Sequence, residues 1–167
     1  MKKTLLVLMA MFALGLQHVN AQENPMKIVT NHPDFDVKVK RCATSGKSLI
    51  LDMVFINKGT QDVIIDVIAG NWRYWTEIYD DEGNTYKGNE NSTVKVKVAN
   101  SKAYEGAVSG YRLIPGVPAK VSFSVNNFSE TAESIAYFEG VVICDAWGLP
   151  DKDKWLIIRN IPITRDS

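Results

Sequence analysis

The chain has 167 residues, 46% of them hydrophobic, and equal numbers of basic and acidic side chains, 19 of each. That length suits a single domain behind a leader, and the apolar content suffices for a core. A near-neutral chain without a basic cluster lacks the electrostatic footprint of a nucleic-acid binder.

Lys2 and Lys3 open the chain, Leu5 to Leu16 is almost purely apolar, and Val19-Asn20-Ala21 follows a polar stretch. This is the pattern of a secretory signal peptide, residues 1–21, cleaved after Ala21. The apolar run is shorter than the roughly 20 residues needed to span a bilayer. No cysteine stands at the cleavage site for lipid attachment. The expected product is exported, periplasmic or extracellular, with no stable membrane anchor. It would keep 167 − 21 = 146 residues, with 19 − 2 = 17 basic against 19 acidic groups and a net charge of −2. Residues 22–33 read as a flexible leader and 34–167 as one domain.

From there the chain reads as short runs of period two divided by turn residues. Phe35, Val37 and Val39 alternate with Asp36, Lys38 and Lys40, and the phase slips between Arg41 and Cys42, which predicts a bulge or strand end. Thr44-Ser45-Gly46-Lys47 predicts a turn into 49–57, where both faces are largely apolar, as in an interior strand. Asn57-Lys58-Gly59-Thr60 is the next turn and 63–68 the next strand. Another strand runs through Tyr74, Thr76 and Ile78 to Asp80-Asp81-Glu82-Gly83-Asn84, which has hairpin chemistry. Val94, Val96 and Val98 alternate with Lys95 and Lys97, as on a protected sheet edge. Pro115-Gly116 suits a type II turn, and Val121, Phe123 and Val125 alternate behind it. Ser129 to Ser134 has room for one helical turn capped by Ser129, and strands are expected at 135–144 and 155–163. Eight or nine strands without a long amphipathic helix predict an all-β fold, a sandwich in preference to a barrel.

The segments Leu49 to Gly59 (LILDMVFINKG), Ile78 to Tyr86 (IYDDEGNTY) and Leu113 to Val125 (LIPGVPAKVSFSV) resemble those of small exported bacterial domains of the Bacteroides type. These are immunoglobulin-like β-sandwiches of unknown function. The resemblance implies an immunoglobulin-like sandwich and an envelope or secreted location, and it carries no activity. The antibody pattern itself does not fit, because the first Trp after Cys42 is Trp72 and Val142 stands two residues before Cys144.

Cys42 and Cys144 are the two cysteines. An even count in an exported chain suggests a disulfide, and two buried thiols are the alternative. Beyond the signal only His32 remains to serve as a catalytic base, and it lies in the polar leader. No phosphate-binding glycine loop or metal-binding helix is written in the chain, so neither a cofactor nor a metal is expected. The acids of Asp80-Asp81-Glu82-Gly83-Asn84, and Asp145 with Asp151 and Asp153, read as solvated loops, the alternative being a calcium site. Aromatic residues carry the binding expectation. A strand through 72–75 would send Trp72 and Tyr74 to one face and Arg73 and Trp75 to the other, while Trp147 and Trp155 flank a polar loop. Such rings either cap the core or hold a ligand. The chain is therefore expected to be a non-catalytic domain whose partner is a protein or a glycan of the cell envelope, the alternative being a carbohydrate-binding module.

Overall fold

The structure, a computed structural model, describes residues 24–30, 32–89, 93–144 and 155–165, and of Trp155 the backbone only. The expected signal peptide, Trp147 and the acids 145, 151 and 153 lie outside the described residues. Among the described residues there is no helix, and none is therefore long and apolar enough to cross a membrane.

The strands are β1 (Lys27–Val29), β2 (Phe35–Ser45), β3 (Ser48–Asn57), β4 (Val63–Ile68), β5 (Glu77–Asp80), β6 (Thr85–Lys87), β7 (Val94–Val98), β8 (Ala107–Leu113), β9 (Ala119–Asn126), β10 (Ser134–Ile143), β11 (Trp155–Pro162) and β12 (Thr164–Arg165). They form two sheets. One has five strands in the order β12-β2-β3-β9-β7; the other has seven, along the path β1-β11-β10-β4-β8, with β5 paired to β10 and β6 to β5. The described residues are thus all-β, with more strands than the expected eight or nine: β1, β6 and β12 are too short to show a period, and β8, whose sequence does not alternate, is not among those expected.

The core lies between the sheets. Leu49, Leu51, Met53 and Phe55 of β3 point inward beside Val121, Phe123 and Val125 of β9, and they meet Val63, Ile65 and Val67 of β4 and Ile135, Phe138 and Val142 of β10. Phe123 and Phe138 touch edge to face across the gap, with ring centroids 5.1 Å apart. That geometry adds about 1 kcal/mol to the area each ring removes from water.

Several local expectations hold. In Ile114-Pro115-Gly116-Val117 the Val117 amide donates to Ile114 O, and Gly116 has φ +71, as position i+2 of a type II turn requires. Asn57, fully buried, uses its side chain to tie the next loop to β8, donating to Gln61 O and Leu113 O while accepting from the Gly59 amide. The slip in β2 is a register shift between Val39 and Arg41, just before the position expected. The lysine-bearing β7 does end its sheet, but Val96 exchanges two backbone hydrogen bonds with Tyr104, so its outer side is partly covered.

Three expectations fail. The leader is not wholly flexible, because Lys27–Val29 pairs antiparallel with β11 and Ile28 packs on the core. No helical turn forms at 129–134. Ser129 Oγ accepts from the Thr131 and Ala132 amides as a cap would, but no helix follows. The cysteines are unbridged, buried thiols. Cys42 sits opposite Leu51 in the five-stranded sheet, while Cys144 follows β10 in the other. Each fills the core as a small apolar group, and burial pushes the Cys42 thiol up to about 12, so it stays protonated.

Candidate functional site

Strand β10 places the site. Along one side it pairs with β11; along the other it pairs first with β5, through Ile135–Glu139, and then with β4, through Val141–Ile143. Strands β4 and β5 therefore lie on one line, and residues 69–76 leave the sheet between them as an eight-residue excursion.

The excursion is a tight hairpin made by its own polar groups. The Asn71 amide donates to Tyr74 O at 2.7 Å, and Asn71 Oδ1 accepts from the amides of Arg73 at 2.8 Å and Tyr74 at 2.6 Å. This is the local chemistry that makes asparagine a turn former. At the base, the Thr76 amide donates to Ala69 O and its hydroxyl to Ile68 O, both at 2.7 Å, with Thr76 fully buried. On the flanks, the Ala69 and Gly70 amides donate to Gly106 O and the Gly88 amide to Thr76 O. The backbones cross so closely that a Cβ on Gly88 would stand 1.7 Å from Ala69 O, and one on Gly70 2.2 Å from Gly88 O. Only glycine fits there.

This geometry sorts the expected aromatic residues. The 72–75 segment is a turn, so the predicted alternation of a strand does not apply. Trp72, at the tip, is 89% exposed. Tyr74 is half-buried beneath the Arg73 guanidinium, which lies 5.1 Å from its ring centroid. Trp75 turns back onto the sheet, and its Nε1–H donates to Glu77 Oε1 at 2.7 Å. Trp147 is not described; Trp155 pairs with Val141 through its backbone on β11. Of the three described side chains, which the structure brings together in one hairpin, Trp72 is the one that stands in solvent.

Trp72 borders an open depression of about 550 Å³. Asn71, Asn89 and Glu105 supply its polar side chains, and Gly70, Gly88 and Gly106 its backbone floor. Glu105 is paired with Lys95 at 3.1 Å.

Behind the hairpin, the outer face of the seven-stranded sheet holds a cluster that sequence reading missed. Glu77 and Glu139 are direct cross-strand partners, and so are Tyr79 and Tyr137. Like charges placed directly opposite are unfavourable in a sheet, and internal donors offset the cost. Glu77 accepts from Trp75, from Tyr79 at 2.7 Å, and from Lys87 at 3.4 Å; the Tyr137 hydroxyl donates to Glu139. Partial burial pushes the Glu77 carboxyl up, but those bonds and the Lys87 charge outweigh it and hold it below the ordinary carboxylate value. Burial, and then the bond to Glu139, push the Tyr137 phenol up to about 12. The recurring signal was a Glu and a Tyr two residues apart in a strand, which shares one face; the pairing of the two strands was not readable.

The acidic turn 80–84 also closes on itself. Asp80, 2% exposed, accepts from the Glu82 and Asn84 amides, from Asn84 Nδ2 and from the Tyr86 hydroxyl. Glu82 accepts from Ser129 and Thr131, and Asp81 from the Glu133 amide. Among the described residues no three His, Cys, Asp or Glu side chains converge as metal ligands. His32 accepts from the Asp34 amide at the entry to β2.

No family model and no curated protein matches the chain. Among solved structures it is similar to AvmM, titled as catalysing macrocyclization in alchivemycin A biosynthesis, at 10% identity and TM-score 0.42, over 84% of this chain and 90% of that one. It is also similar to a family 123 glycoside hydrolase from Clostridium perfringens, at 8% identity and TM-score 0.37, over 84% of this chain and 26% of that one. Likenesses this distant carry no function across.

Proposed function

We propose that this chain is an exported, non-catalytic binding domain, an immunoglobulin-like variant of the two-sheet fold, that grips a component of the cell envelope with the hairpin at 69–76. The observation that carries the reading is Trp72, 89% exposed at the tip of a turn fixed by Asn71. The turn closes through backbone and Asn71 bonds, so folding does not require an indole at its tip. Covering one removes on the order of 200 Å² from water, about 5 kcal/mol before the cost of association. A rigid loop that holds such a ring in solvent is pre-organised as an anchor.

The non-catalytic part of the reading is supported by how the acids are used. Those at 80–82 and Glu77 accept hydrogen bonds that hold the fold, and none of them lines the depression beside Trp72.

The test is retention of the domain from Gln22 onward by envelope fractions of its own organism. Trp72→Ala is expected to weaken retention at least tenfold, with an unchanged thermal unfolding curve. Equal retention of the two proteins refutes the assignment of the hairpin.

A further inference from the structure

We infer that the ligand of the Trp72 depression is a neutral saccharide, one ring of which stacks on the indole. The inference rests on the binding-domain reading and adds the class of ligand.

The lining decides the class. Among the described residues, Trp72 is the one apolar side chain that borders the depression; the others supply two carboxamides, one carboxylate and the backbone of three glycines. A protein anchor seeks a pocket with apolar walls, and a hydrophobic small molecule seeks an apolar cavity. Neither is matched here. A sugar ring has a C–H face that packs on a flat aromatic ring, and an equatorial fringe of hydroxyls that both donate and accept. The carboxamide of Asn89 offers both a carbonyl and an NH2, and the Glu105 carboxylate accepts, so each suits such a fringe.

Charge narrows it further. Glu105 is balanced by Lys95 at 3.1 Å, and the Arg73 guanidinium is drawn over the Tyr74 ring. Among the described residues that line the depression, the one charged group, Glu105, is thus neutralised, which offers a phosphate, a uronate or an ammonium group no unbalanced partner. The depression, about 550 Å³, falls within the roughly 300–1,000 Å³ of small-ligand sites. It is open at the surface, so a longer glycan can enter as an internal segment. Gly70 and Gly88, where a Cβ would collide with backbone, hold the segments that carry Asn71, Trp72 and Asn89 close together.

The test is affinity electrophoresis of the domain through gels containing soluble starch, dextran, laminarin, xylan or galactomannan, each a neutral polysaccharide. The expected result is retardation by at least one of them, lost in Trp72→Ala, partly kept in Trp72→Phe, and weakened about tenfold in Asn89→Ala. Retardation by none of the five, or retardation that Trp72→Ala leaves unchanged, overturns the saccharide assignment. A photo-crosslinker placed at Trp72 separates this from the broader reading. Crosslinking to an envelope protein while every gel is negative overturns the saccharide and keeps the binding domain; no envelope retention and no crosslink overturn both.

Discussion

Two turns bracket β5, and they use their polar groups in opposite ways. In the acidic turn 80–84, side-chain oxygens are directed inward: Asp80 serves four donors, and Glu82 and Asp81 reach across to fasten the 129–133 segment. In the hairpin 69–76, backbone and one asparagine close the turn, and one of its two tryptophans is left outside. The charged turn is a clasp, and the less charged one is the anchor. Density of charge is thus a poor guide to a site in this molecule; what marks the site is a bulky group that the fold does not use.

The sharpest way to break that contrast is Asp80→Ala. It strands buried donors, including the Tyr86 hydroxyl, and is expected to cost about 3 kcal/mol in urea unfolding. A loss under 1 kcal/mol would show that the turn does not clasp the fold. Next comes Gly88→Ala. A Cβ placed 1.7 Å from Ala69 O forces the backbones apart, for about 2 kcal/mol, and it should weaken envelope retention as well because the hairpin moves. Retention at full strength with that stability loss would separate the hairpin from the ligand.

A smaller effect is read in pH. The carboxyl of Glu77 is held low in the fold, so its stabilising contribution is present above the unfolded value of about 4.3 and lost as pH falls through the folded value. Glu77→Gln should therefore flatten the fall in urea midpoint below about pH 4.5 and leave the neutral plateau without that slope. Parallel acid limbs for the two proteins would show that the outer-face network does not tune this carboxyl. The smallest expected effect is Trp72→Ala on stability, within about 0.5 kcal/mol of the parent. A loss beyond 1 kcal/mol would mean that the indole is part of the fold and is not held for a ligand.

The alternation of Val121, Phe123 and Val125, the Pro115-Gly116 turn and the acidic hairpin were legible because each is a local pattern with a local cause. The hairpin at 69–76 was not, because Tyr74, Thr76 and Ile78 keep a period of two across the place where the strand breaks. What breaks it is Gly88 crossing Ala69 and Gly106 bonding to Gly70, contacts between segments distant in the chain. Local spacing likewise put Glu beside Tyr on β5 and on β10, while only the register set Glu77 opposite Glu139.

By itself, then, the sequence determined an all-β chain, most of its turns, and the inward faces of its strands, since a period of two encodes a side-chain face whatever the partner strand. The tertiary structure alone decided that the cysteines remain apart, that Trp75 is bound to Glu77 and that Trp72 stands in solvent. Those outcomes depend on strand pairing and register, set by the burial of both sheets at once and not by any single segment.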